Sequence, residues 1–102
     1  MIEGQRTIRR LSSRPEIYAI FINELRVGTV SERTGNPPGT DPWDWQIGFH
    51  GLPGQHWIEG TAPDRKTAEQ RWKAAWPGFC AMRTEADWRT GLKYVELSKR
   101  TK

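Results

Sequence analysis

"WDWQIGFHGLPGQHWIEGTAPDRKTAEQRWKAAW", residues 43–76, changes period halfway along, and that change decides the fold. Its first part alternates. Trp43, Trp45, Ile47 and Phe49 hold one phase, with Asp44 and His50 on the other, as in a half-buried strand. "GLPGQ" (51–55) is a turn, and "HWIEG" (56–60) is a short strand that closes a hairpin. After Asp64 the period lengthens. Ala68, Trp72, Ala75 and Trp76 recur at steps of 0, 4, 7 and 8, which is one face of a helix. Asp64 is placed to cap it, and Thr67 with Gln70 offers a competing capping-box start. Pro77 and Gly78 predict that the helix stops at Trp76.

Upstream, "EIYAIFIN" (16–23) is apolar on both phases: Ile17, Ala19 and Phe21 on one, Tyr18, Ile20 and Ile22 on the other. Such a strand is covered on both faces, or has one face left for a partner. "NELR" (23–26) turns the chain, and "VGTVSE" (27–32) returns as a hairpin strand. "TIRRLSS" (7–13) is a candidate additional first strand. "RTGNPPGTDP" (33–42) carries two Gly and three Pro, so it is irregular, and it is the segment expected to be most mobile. It leads into Trp43, so Trp43 is the tryptophan expected to keep some exposure, whereas Trp45 is expected to be buried.

Downstream, "TEAD" starts a second helix, with Asp87 three residues after Thr84. Trp88, Leu92 and Val95 form its stripe. Gly91 inside it costs about 1 kcal/mol relative to Ala.

The expected fold is α+β: an antiparallel meander sheet of four strands, five if the N-terminal one forms, followed by two helices packed on one face. With 102 residues it is a single domain, and residues 1–5 and 98–102 are expected to be disordered tails. The apolar fraction is only 35%, but six Trp supply large buried surfaces.

The segment 43–88, with its W-x-W-x-I strand, short turn, G-x-A step and Ala/Trp helix, resembles a loose group of small uncharacterised bacterial proteins. That resemblance implies a fold and no activity. The junction "EGTAPDRKTAE" is similar in topology to HicB-type antitoxin domains, which implies a regulatory or nucleic-acid connection.

Charge is uneven. Residues 1–15 hold Arg6, Arg9, Arg10 and Arg14 against Glu3, a net of +3 within an overall +4. No apolar run is long enough to cross a membrane, no secretory signal is visible, and the single cysteine, Cys80, cannot close an internal disulfide. A cytoplasmic protein is expected.

His50 and His56 lack the further ligands a metal needs, so neither metal nor cofactor is expected. Cys80 sits among Phe79, Ala81 and Met82 and reads as core rather than nucleophile. Asp41, Asp44 and Glu59 are the carboxylates nearest to an acid–base arrangement, and they read as solvent-face residues. The expected function is therefore non-enzymatic binding. Association with a second copy or a protein partner through an open face of Tyr18, Ile20 and Ile22 leads. Nucleic-acid binding by Arg6, Arg9, Arg10, Arg14, Arg65 and Lys66 is the alternative, and an enzyme with a carboxylate site is a distant third. Two features discriminate the first two: whether the arginines gather with the first helix, and whether the Tyr18 face is open.

Overall fold

The structure is a computed structural model that describes residues 5–35 and 39–100, with the backbone alone for 98–100. The tail positions 1–4 and 101–102, and the centre of the Pro/Gly loop at 36–38, lie outside the described residues. Five strands, β1 (Arg6–Ser13), β2 (Glu16–Ile22), β3 (Leu25–Glu32), β4 (Trp43–Ile47) and β5 (Ile58–Ala62), precede α1 (Arg65–Ala81) and α2 (Glu85–Arg100). All neighbours in the sheet are antiparallel and follow in chain order, β1-β2-β3-β4-β5. The N-terminal segment is therefore a real edge strand. Gln5 is also tied down, its carbonyl accepting from the Asn23 amide at 3.5 Å. Residues 98–100, expected to be tail, continue α2.

Register decides which face is buried. Directly paired residues share a face. Tyr18 pairs with Val30, and Val30 with Trp45; Ile20 pairs with Gly28, and Gly28 with Ile47. This is the face that the helices cover, because Trp72 of α1 lies against Gly28. Tyr18, Ile20 and Ile22 are only 9%, 2% and 5% exposed. The expected open interface of Tyr18, Ile20 and Ile22 is thus corrected: these side chains are core. The opposite face carries Thr29, Ser31, Asp44, Gln46, Glu59 and Thr61, a polar set. A register shift between Ile20 and Phe21 leaves Val27 as the extra residue of a bulge, and Leu25 and Val27 are both buried.

The helices are set by their ends and by their rings. Asp64 caps α1, its carboxylate accepting from the Thr67 amide at 2.7 Å. Thr84 and Asp87 form a reciprocal capping box for α2: the Thr84 amide donates to Asp87 at 3.0 Å, and the Asp87 amide donates to the Thr84 hydroxyl at 3.1 Å. The α1 helix does not stop before Pro77 but runs through it to Ala81. An internal proline costs about 3 kcal/mol. Phe79, fully buried, returns roughly 2–3 kcal/mol by burial. It also contacts Trp76 at 5.6 Å and Phe49 and Trp88 at 6.2 Å, and such ring pairs contribute about 0.5–1.5 kcal/mol each. The gains outweigh the proline. Likewise Gly91 is a packing requirement and not merely a weakness. A Cβ there would come within 2.7 Å of the Phe49 ring, so α2 approaches the sheet through its missing side chain. Leu92, expected in the buried stripe, is exposed instead.

The order of burial of the two strand tryptophans is reversed. Trp43 is buried and Trp45 only half-buried, although Trp45 does pack on the core. Trp43 stands opposite Ala62, whose small side chain leaves it room. Trp45 stands opposite Gly60, and its ring lies sideways across that glycine on the edge strand β5, next to solvent.

Candidate functional site

The basic residues fall into an arrangement set by β1. All of Arg6 through Leu11 is exposed. Arg6 and Arg10 pair with Ile22 and Tyr18, so they share the helix-covered side, whereas Arg9 pairs with Ala19 and points the other way. The Arg9 guanidinium lies over Phe21 at 5.1 Å, and that of Arg6 lies over Trp72 at 5.6 Å. Tyr18 is the link to α1. It pairs with Arg10, and Arg65 both donates to its hydroxyl at 2.7 Å and covers its ring at 4.9 Å. That hydrogen bond is the main reason the Arg65 guanidinium is held even more firmly protonated than usual. Arg65 and Lys66 border a shallow depression with Glu16, and Arg14 lies two residues before Glu16 in the β1–β2 turn. Arg10, Arg65 and Lys66 therefore lie toward one end of the helix side, and Arg14 is in the turn that adjoins it. Arg6 stands farther along the same side, and Arg9 extends from the opposite face of the same edge strand.

Acidic groups are interspersed but mostly engaged. Glu16 accepts from the Tyr18 hydroxyl at 2.8 Å, and Glu69 approaches Arg65 at 3.8 Å. The Asp64 carboxyl is held below its ordinary value, chiefly by the Thr67 amide. Among the described residues no carboxylate forms an ion pair with Arg6, Arg9, Arg10 or Arg14.

Of the carboxylates Asp41, Asp44 and Glu59, two border one depression on the open face. Asp44 and Glu59 share a shallow depression with Arg33, Gln46 and Thr61. Asp44 is ion-paired with Arg33 at 3.5 Å, and Asp41 accepts from the Thr61 hydroxyl at 3.0 Å. These are solvated side chains with no histidine, serine or cysteine beside them in that depression. His50 and His56 are separated in role: His50 stacks on Tyr94 at 4.0 Å, and the Nδ1 of His56 is buried. Among the described residues no three His, Cys, Asp or Glu side chains gather as metal ligands would. Cys80 is buried, and burial pushes its thiol up. No helix of the described residues is long and apolar enough to cross a membrane.

Sequence reasoning missed one feature. A cavity of about 570 Å³ lies where the β2–β3 turn, the exit of β4 and the second half of α2 converge. Its rings are Phe49, His50, Trp57 and Tyr94. Trp57 lies flat against the Cα of Gly48, where any side chain would collide with its indole. The available signal was the isolated tryptophan in "QHWIEG", opposite a glycine, on the polar side of a hairpin.

Comparison with family models, curated proteins and solved structures returns no match to any of them.

Proposed function

We propose that the protein is a non-enzymatic nucleic-acid-binding domain that engages phosphates through the β1 edge and the start of α1. One observation carries this reading. An edge strand presents Arg6, Arg9 and Arg10 exposed and without carboxylate partners among the described residues, and Tyr18, the register partner of Arg10, holds Arg65 by its hydroxyl. Arginine on both faces of an edge strand opposes pairing with another copy of that strand. The same groups suit phosphate, which guanidinium binds in a bidentate manner. Association through the Tyr18 face has lost its surface to the core. The similarity of the β5–α1 junction to HicB-type antitoxin domains points to the same class of partner.

The test is titration of fluorescent single- and double-stranded DNA and RNA across a range of salt concentrations. Each phosphate contact contributes a slope of about −0.7 for single strands and −0.9 for duplex in log K against log salt. Replacing Arg6, Arg9 and Arg10 together by Ala is expected to flatten the slope by about 2. Absence of binding to all four polymers at low salt would overturn the proposal.

A further inference from the structure

The cavity that Trp57 and Tyr94 help to line has a composition that the arginine edge does not explain. We infer that it is a binding site for a neutral planar heterocycle of the nucleobase class. Its volume of about 570 Å³ lies within the ~300–1,000 Å³ usual for small-ligand sites. Trp57 and Tyr94 are 36% and 44% exposed, high values for rings in a domain that buries the other five of its six tryptophans wholly or in part in its core. Each ring is also fixed from behind. One face of Trp57 rests on the Gly48 backbone, and Tyr94 is stacked on His50 at 4.0 Å with 24° between planes. Fixed, flat and partly exposed rings suit stacking, because little side-chain entropy is left to lose.

The polar lining narrows the class. Gln46 contributes an amide that both donates and accepts, and the Thr29 hydroxyl is oriented by a 2.9 Å hydrogen bond from Arg26. The edge of a nucleobase presents donors and acceptors together, which such a pair can match. Glu24 and Arg26 offset one another in charge at the same cavity, so it favours neither an anion nor a cation. A phosphate is better served by the β1 edge, and an aliphatic ligand would leave Gln46 and Thr29 unmatched. Choosing a nucleobase among planar rings rests on the nucleic-acid reading, but the stacking site itself does not.

The experiment uses the full chain and the four uncharged ribonucleosides, with binding followed by calorimetry and ligand-detected NMR at low and high salt. Saturable binding of at least one nucleoside is expected, changing little with salt because no charge is neutralised. Tyr94→Ala is expected to weaken it at least about fivefold, through loss of one stacking surface. Gln46→Ala is expected to change the order of preference among the four bases. Both side chains are exposed, so thermal melts should match the parent. The Arg6, Arg9 and Arg10 triple variant should bind nucleosides like the parent. No saturable binding of any nucleoside, or binding indifferent to both Tyr94→Ala and Gln46→Ala, overturns the inference. Nucleoside binding in a protein that ignores every oligonucleotide supports the pocket and removes the phosphate edge; the reverse outcome removes the pocket and leaves the edge.

Discussion

Gly28 is the position where a single methyl group has the most to disturb. A Cβ there would collide with the indole Nε1 of Trp72 and stand 2.7 Å from the carbonyl oxygen of Gln46. Neither neighbour can yield cheaply. Trp72 is fully buried, stacked on Trp76 at 5.1 Å, and donates to that same Gln46 carbonyl at 2.8 Å. Gln46 is held within β4, paired with Thr29 on one side and Glu59 on the other. Overpacking of a filled core costs about 1–3 kcal/mol. Displacing the indole also sacrifices a buried hydrogen bond worth about 0.5–1.5 kcal/mol. The entropic benefit of replacing glycine returns about 0.4–1 kcal/mol. Gly28→Ala should therefore destabilise by roughly 1–3 kcal/mol, which lowers Tm by about 5–20 °C in a domain of this size. The same exchange at Gly78 meets nothing within 4 Å and lies inside α1, so it should stabilise by about 0.5–1 kcal/mol. Urea and thermal unfolding followed by far-UV circular dichroism measure both. A double-mutant cycle with Trp72→Phe then isolates the clash, since the smaller ring gives the methyl room, and the two changes should couple favourably. If Gly28→Ala melts with the parent, Trp72 does not rest on that glycine and the packing described for α1 is wrong.

Other outcomes follow from groups at the edges of the core. Arg83 is only 4% exposed in its side chain. It lies over Phe79, approaches Asp87 at 3.8 Å, and has Nε and Nη1 buried without hydrogen-bond partners among the described residues. Asp87 keeps its capping bond without it, so Arg83→Met should be neutral or stabilise by about 1 kcal/mol; a loss of more than that in urea unfolding would count against this account. The Asp64 and Asp87 carboxyls are both held below the ordinary 3.8, chiefly by backbone amides of Thr67 and Thr84. Their stabilising effect is complete above that value and is lost as pH falls through the lower folded values. Asp64→Asn with Asp87→Asn should flatten the acid limb of the stability profile, and superimposable limbs would refute it. Burial holds the Cys80 thiol above its usual 9.0, so alkylation of the native protein near neutral pH should be slower than in urea, by at least about tenfold. Equal rates would mean that Cys80 is open to solvent.

The class of fold was legible because the period changes cleanly between Trp45 and Trp72. The choice of buried face was not. In β2 both phases are apolar, so Tyr18, Ile20 and Ile22 could not be separated from Ile17, Ala19 and Phe21 by pattern alone. The polar phase of its neighbours, Thr29, Ser31, Asp44 and Gln46, holds the answer, but only once the register is known. That register includes the bulge at Val27, which leaves no clear mark in the sequence. Pro77 misled for a different reason: local propensity was outvoted by Phe79, whose partners Phe49 and Trp88 are remote in the chain. The arginines of β1 could be listed as candidates, but their division between two faces follows from pairing. The aromatic cavity was hidden because Trp57 meets Gly48 across a turn, and Tyr94 arrives from another element altogether.

The order of the elements along the chain has a consequence for biogenesis. A ribosome delivers the whole sheet first, and each strand can pair at once with the one made just before it, so loop closure is cheap and pairing is fast. The two helices that cover Ile20, Val30 and Ile47 are synthesised after the sheet. Until residues near Trp88 have left the exit tunnel, the nascent chain displays a greasy sheet face with nothing to close it. This interval, more than the marginal stability of the finished domain, is when a holding chaperone would matter most, and truncations within α1 should aggregate rather than merely unfold.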